Sequence, residues 1–324
     1  MTTSSSAGHR LSTSARLGAL ALLWGSGFLL IKLALRGFTP YQIVLGRLAL
    51  GAAVLVGVLV ASRNALPYGR KIWIHLTIAA ALANVAPYLL FAVAERQIDS
   101  AVAGVINATT PLFTVIIAAL IGHERAPRRV QLAGLAVGIV GTFILLAPWS
   151  RGTQFTSWGA VAALLASICY AVSYVYMDRF LVNRRLSAPS LAAGQLVAAA
   201  GITALALPLA QGWQAMHWQP DAVGGLVTLG LLGTGVAYVL NYRIIADDGA
   251  SAASLVTYLL PVTALILGAA VLQERPTLHA IVGTVIVLGG VALARQGVTA
   301  RTSPSDDLMI AGPRGDGSPA QRRP

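Results

Sequence analysis

The chain has one cysteine, Cys169, so it can form no internal disulfide and offers no thiolate cage for a metal. Charge is scarce as well. Asp, Glu, Lys and Arg make up 10% of the 324 residues, against about 25% in soluble proteins, which argues against a pair of soluble domains. The acids Glu95, Asp99, Asp247 and Asp248 fall in loops or at interfaces, and the sequence places no Asp or Glu mid-helix. It therefore displays no obvious proton-coupling carboxylate. The five histidines, His9, His75, His123, His217 and His279, are scattered, with only His75 in an expected helix. A membrane-embedded enzyme would need convergent acids, histidines or metal ligands, and those parts are missing. No pore-loop or ring-forming segment points to a channel, and no ten-residue alternation points to an outer-membrane barrel. No cofactor is implied.

What is present is apolar length. Hydrophobic residues make up 56% of the chain and the mean hydropathy is +0.73. Ten apolar runs occur, at 17–36, 41–61, 72–94, 101–121, 130–147, 158–180, 190–210, 222–245, 252–272 and 278–294. Runs near 20 residues match the thickness of a bilayer core. The fold class expected is an all-α integral membrane protein with ten transmembrane helices. The first run is read as a retained helix and not a signal peptide, because Lys32 and Arg36 interrupt its expected end and no small-residue cleavage site follows. Residues 1–15 and 297–324 are rich in Ser, Thr, Gly, Pro and Arg and read as disordered tails.

The net charge of +12 is not a nucleic-acid signal. When loops are assigned alternately to two sides, one side holds only Arg36, Arg96, Arg151 and Arg275, and nearly all other Lys and Arg collect opposite. This positive-inside bias predicts a multi-pass protein of the cytoplasmic membrane with both termini cytoplasmic. The partners expected are a small-molecule substrate and the lipid bilayer, with no nucleic acid and a monomer or weak homodimer as the working unit.

The chain also repeats itself. SAVAGVINATTPLFTVIIAALIGHER (100–125) and ASAASLVTYLLPVTALILGAAVLQER (250–275) align without a gap at an offset of 150, which places Tyr88 on Tyr238, Pro111 on Pro261 and Glu124-Arg125 on Glu274-Arg275. The units are residues 16–147 and 148–296, five helices each. Five is odd, so the second unit enters the membrane from the opposite side, giving two inverted five-helix repeats. The loop after Arg125 adds Arg128 and Arg129, whereas the loop after Arg275 adds no basic residue, as inversion requires.

LLWGSGFLLIK (Leu22–Lys32), Arg47 early in the second run, and PLFTVIIAALIGHER (Pro111–Arg125) before a Gly-rich fifth run resemble the ten-helix EamA-type members of the drug/metabolite transporter superfamily. The resemblance covers about residues 17–294, and the second half repeats its Pro…Glu-Arg pattern at Pro261 and Glu274-Arg275. It implies an inner-membrane carrier, commonly an exporter of amino acids, metabolites or drugs. The sixth and seventh runs depart from it, having neither a Trp-Gly pair nor a mid-helix Arg.

Candidate site residues follow from polar and helix-breaking groups at membrane depth. Pro111 and Pro261 each free the carbonyl four residues earlier, at Asn107 and Thr257, with Thr109, Thr110 and Tyr258 beside them. Pro87 frees the carbonyl of Ala83 beside Asn84. Breaks at matching depth in inverted repeats mark a central binding site, although a kink re-satisfied by neighbouring helices is the competing explanation. Trp24, Phe28, Tyr88, Tyr170, Tyr174, Tyr238, Asn241 and Tyr258 can line the same cavity, where rings stack and phenol or amide groups orient a ligand.

Lys32 and Arg47 are the basic residues well inside helices. Lys32 lies roughly 6 Å from its helix end and can snorkel. Arg47 lies about 10 Å in, where a charge is costly, and with Lys32 would attract an anionic group such as a carboxylate. Glu124 and Glu274 sit at helix ends beside Arg and read as surface-depth pairing groups, not proton carriers. Gly134, Gly138 and Gly141, with Gly283, Gly289 and Gly290, predict close helix packing within the bundle. The expected function is alternating-access transport of small metabolites, amino acids or drug-like compounds, most simply export. A lipid or lipid-linked sugar flippase on the same fold is the alternative.

Overall fold

The computed structural model describes residues 3–94, 97, 106–122, 127–147, 158–182, 186–206, 215–271 and 277–297. The side chains of residues 3–12 and of several later ones, Phe28 and Lys32 among them, lie outside that description. Every regular element among the described residues is helical. The chain runs through α1 (Thr3–Gly25), α2 (Gly27–Ala34), α3 (Pro40–Ala61), α4 (Arg70–Ala80), α5 (Ala86–Ala94), α6 (Thr110–Leu120) and α7 (Arg129–Leu146). It continues through α8 (Trp158–Met177), α9 (Ala188–Leu205), α10 (Pro220–Gly230), α11 (Ala237–Ser254), α12 (Val256–Val271) and α13 (Leu278–Gly297). Five helical stretches are long and apolar enough to cross a membrane: Tyr41–Ala61, Arg70–Phe91, Trp158–Val182, Ala188–Leu205 and Pro220–Ser254. Three shorter apolar helices accompany them, Thr110–Leu120, Arg129–Leu145 and Leu278–Ala294. Large apolar side chains such as Val60, Leu120, Leu205 and Leu278 stand exposed on the outer surface, as lipid contact requires.

Local chemistry fixes where these rods begin. Thr39 and Gln42 close a capping box before α3, with Pro40 in its first turn, where a missing N–H costs nothing. Ser187 caps α9 through the Ser190 amide, with Pro189 in the equivalent turn. Gly249 breaks α11 with φ 87° and ψ 173°, a conformation that is essentially glycine's alone. Two helical rods are interrupted by π turns, Ala81–Val85 between α4 and α5 and Leu231–Val236 between α10 and α11. A third π turn, Asp178–Val182, ends α8.

The core lies between rods from the two halves of the chain. α3 packs along α9, the α4/α5 rod against α8 and α9, and the α10/α11 rod against α1, α2 and α3. α1 also meets α12, and α6 meets α8. One continuous cluster of buried residues includes Leu17, Leu48 and Leu76 from the first half and Tyr174, Leu196 and Tyr242 from the second. α7 and α13 form a separate and closer pair. A Cβ on Gly134 would stand 2.2 Å from the Ala294 nitrogen, one on Gly283 2.3 Å from the Leu145 nitrogen, and one on Gly290 2.5 Å from the Gly138 nitrogen. These backbones touch because the side chains are absent. Gly289 is the exception among the expected packing glycines, since its Cβ position faces open space.

The fold departs from the sequence reading in four places. Helix α1 reaches back to Thr3, although residues 1–15 have the composition of a disordered tail. Thr13 donates to both carboxylate oxygens of Asp248 at 3.0 and 2.9 Å, and Arg16 pairs with Asp247, so this turn is anchored to the end of α11. Pro111 does not kink a helix; it sits in the first turn of α6, after a turn at Ala108 and Thr109. Pro261 alone lies inside a helix, α12, so the two proline sites are not conformational copies. Asp178 is fully buried although no buried acid was expected: it stands near the end of the 158–180 run, in the π turn that ends α8 and carries the helix past that run to Val182. Glu124, Glu274 and residues 298–324 lie outside the described residues.

Candidate functional site

The two π turns that interrupt helical rods sit at equivalent places in the repeat. Ala81–Val85 displaced by 150 positions falls on Leu231–Val236. In the first, Pro87 has no N–H to give back, and the freed carbonyl of Ala83 accepts a hydrogen bond from the Tyr238 hydroxyl at 3.2 Å. In the second no proline is present. Thr234 instead donates its hydroxyl to the Leu229 carbonyl at 3.0 Å, within a Gly-rich stretch. π turns of this kind widen a helix locally and often mark functional sites. Each presents one polar side chain, Asn84 and Thr234, both fully buried.

These two side chains reach across to equivalent helices. Asn84 accepts from Gln195 on α9 at 2.9 Å, and Thr234 accepts from the Nε of Arg47 on α3 at 3.1 Å. Gln195 lies eight residues after the cap Ser187, and Arg47 lies eight residues after the cap Thr39. The pairs Asn84–Gln195 and Thr234–Arg47 are thus counterparts, one neutral and one charged. The neutral pair extends in both directions. Tyr242 donates to the Gln195 carbonyl, Asn84 donates to the Tyr238 hydroxyl, and Tyr238 donates to Ala83. Each amide and hydroxyl group in this chain makes at least one hydrogen bond, and such pairing is what lets a buried polar network persist.

Around Arg47 the surroundings are aromatic. Its guanidinium carbon lies 5.1 Å from the centroid of the Tyr88 ring, within cation–π range. Tyr170 and Tyr238 both lie in the neighbourhood of Arg47, Tyr88 and Tyr174. Trp24 meets Tyr238 edge to face at 6.1 Å, and Phe91 stacks on Tyr170 at 6.2 Å. Side chains from α1, α3 and the α4/α5 rod therefore converge with side chains from α8, α9 and the α10/α11 rod.

Of the residues expected in a site, Arg47, Asn84, Tyr88, Tyr170, Tyr174 and Tyr238 are brought together, with Trp24. Asn241 lies one helical turn after Tyr238 and is buried, and its Oδ1 has no hydrogen-bond partner among the described residues. Others stand apart. Asn107 accepts from Thr110 at 3.3 Å near Pro111, beside α8, where Ser167 donates to the Ile106 carbonyl. Thr257, in the first turn of α12 and four residues before Pro261, donates to the carbonyl of Ser254 at the end of α11. Tyr258 points the other way, donating to the Leu135 carbonyl of α7 at 2.9 Å in a second core cluster. Lys32 lies in α2, and its side chain is outside the description.

Gln195, Thr234 and Tyr242 are the members that sequence reading missed. The capped helix starts carried the necessary signal: aligning Thr39-Pro40 with Ser187–Pro189 sets Gln195 opposite Arg47. An alignment at offset 150 throughout hides that register, because the α9 half of the repeat runs two residues short.

A model of the EamA-like transporter family matches residues 17–147 and 157–296, one copy in each half. The inner membrane transporter YedA of Escherichia coli (strain K12), named as uncharacterized, is 26% identical over 261 residues, covering 78% of this chain and 80% of that protein. An uncharacterized transporter of Archaeoglobus fulgidus is 25% identical over 288 residues, 86% of this chain and 95% of that protein. The uncharacterized transporter YdfC of Bacillus subtilis (strain 168) is 26% identical over 269 residues, 83% of this chain and 86% of that protein. A protein crystal structure shares the fold at a TM-score of 0.74 with 22% identity, covering 89% of this chain and 97% of that one.

Proposed function

Since the chain belongs to the EamA-like transporter family, we propose that it is a secondary transporter of small organic molecules that works by alternating access. The carrying observation is the convergence of polar and aromatic side chains from both halves at π turns 150 residues apart. A site assembled at the repeat interface from broken helices is what a carrier needs, because each half can move against the other around it.

In this reading the chain forms ten membrane-crossing rods as two inverted five-rod repeats. The helix packing supports this. Exchanging α1/α2 with α8, α3 with α9, α4/α5 with α10/α11, α6 with α12 and α7 with α13 turns the α6–α8 contact into the α12–α1 contact. It also turns the α4–α9 contact into the α10–α3 contact, and leaves α3–α9 and α7–α13 unchanged. That exchange supports a pseudo-two-fold relation between the halves, and an odd number of rods per half favours an axis in the membrane plane. Loop charge supports a cytoplasmic position for both termini. Export is the direction that the family resemblance implies.

The test is counterflow in proteoliposomes preloaded with single members of a panel of small acids, amino acids, nucleosides and organic cations. Saturable uptake of at least one labelled solute, abolished in empty vesicles, is expected. No solute flux together with scrambling of a fluorescent phospholipid would overturn this reading in favour of a flippase.

A further inference from the structure

Arg47 is an expensive residue in its position. Its guanidinium is a fixed positive charge, and a charge at membrane depth costs about 2.5–3.5 kcal/mol on insertion scales. A purely structural group would spend all its donors on the protein. Arg47 spends one. Its Nε donates to Thr234, and its flat face lies over Tyr88. Among the described residues neither terminal Nη group has a hydrogen-bond partner and no carboxylate pairs with the side chain, which is only half-buried. Thr234 needs no cation, since its own hydroxyl is already satisfied by the Leu229 carbonyl.

The counterpart position shows what a structural occupant looks like. Gln195 is fully buried, neutral, and uses both ends of its amide, donating to Asn84 and accepting from Tyr242. Repeat symmetry would be served equally well by a neutral amide at position 47. The departure from symmetry is thus one fixed positive charge, with four N–H donors open in a planar fork. That fork matches the two oxygens of a carboxylate. Tyr88, Tyr170, Tyr238 and Trp24 supply an apolar and aromatic wall beside it.

We propose that Arg47 is the anion-binding residue of the central site and that the compounds carried are small organic carboxylates with an apolar body. The bound carboxylate supplies the counter-charge that the protein withholds. Thr234 and Tyr88 act as positioning residues that hold the guanidinium by its Nε and face, leaving its Nη edge for the ligand. The inference rests on the carrier reading above, and its test is separable from that one.

The probes are matched pairs, each a carboxylate and its primary amide: benzoate and benzamide, pentanoate and pentanamide, lactate and lactamide, and phenylalanine and its amide. Binding is read as a saturable rise in the melting temperature of the purified protein in detergent, which needs no assumption about direction. At least one acid should bind at least tenfold more tightly than its amide. Arg47→Gln should abolish that preference, and Arg47→Lys should retain part of it with weaker binding. Lys keeps the charge and loses the planar fork, so this ranking separates anion binding from folding. Equal binding of acids and amides by the unaltered protein, no stabilisation by any acid, or an acid preference that survives Arg47→Gln would each overturn the assignment. Counterflow of a neutral or cationic solute in the same preparation would then leave the carrier reading standing, whereas loss of all flux would remove both.

Discussion

The backbones of α7 and α13 approach within contact of one another, and adding one methyl group there gives a sharp test of the packing. Gly290 and Gly289 are neighbours on the same helix, have the same local propensity, and point in different directions. A Cβ on Gly290 would stand 2.5 Å from the Gly138 nitrogen and 2.9 Å from the Gly134 carbonyl oxygen. A Cβ on Gly289 would meet nothing within 4 Å. Ordinary contact begins near 3.4 Å, so Gly290→Ala forces the two backbones apart by roughly 1 Å, or rotates them, and loosens the pair over several turns. Overpacking of this kind costs about 1–3 kcal/mol. Gly289→Ala gains roughly 0.5–1 kcal/mol, because alanine loses less conformational freedom on entering a helix. The two variants should therefore differ by about 2–4 kcal/mol with opposite signs. Thermal unfolding in one detergent, followed by tryptophan fluorescence and size-exclusion recovery, reads the difference. Equal melting temperatures for Gly290→Ala and Gly289→Ala would refute the backbone contact and leave these glycines without a packing role.

Other residues carry expectations of their own. Tyr258→Phe removes the hydroxyl bonded to Leu135 and should cost about 0.5–1.5 kcal/mol, the net worth of one hydrogen bond, because the Leu135 carbonyl lies inside α7 and keeps its intrahelical partner. Ligand affinity should hold, since Tyr258 faces α7, and a selective loss of binding would place it in the site after all. Asn241→Leu should raise the melting temperature, as the buried Oδ1 has no hydrogen-bond partner among the described residues, while weakening ligand binding. Unchanged binding would return Asn241 to a passive role. Gly249→Ala should destabilise by about 1–3 kcal/mol, because φ 87° with ψ 173° is strained for any side chain; an unaltered melting temperature would contradict that geometry. A double-mutant cycle on Arg16 and Asp247 should return only about 0–1 kcal/mol, since both groups are partly exposed. A coupling above about 2 kcal/mol would show that this contact is shielded from solvent far more than its exposure indicates.

Much of the site was legible because chain chemistry forces it. A proline at 87 must free the Ala83 carbonyl, and the structure satisfies that carbonyl with Tyr238, the residue the repeat pairs with Tyr88. A cation at 47 cannot be neutral, so its presence at membrane depth stands out against apolar neighbours. Gln195 was not legible in the same way. It sits in AAGQLVAAAG, where an amide is unremarkable until Thr39 and Ser187 are aligned as helix caps. Tyr258 was misleading because helix depth does not fix azimuth. At equal depth a side chain can face the centre or the neighbouring helix, and the small surface of Gly138 drew it toward α7. Gly289 and Gly290 show the same limit on a finer scale, since one residue of rotation separates backbone contact from open space. Asp178 escaped notice because a carboxylate near a run's end reads as loop until the helix is seen to continue past it as a π turn.

The central claim is that one site, built around Arg47, Tyr88 and Tyr238, is reached from both faces of the membrane. It is tested by Tyr88→Cys in a Cys169→Ala background, which leaves one thiol in the chain. Right-side-out and inside-out vesicles are each treated with a membrane-impermeant maleimide. The account predicts labelling of residue 88 in both orientations, slowed in both by the acid that binds most tightly. Labelling from one face only, whatever ligand is added, would contradict it.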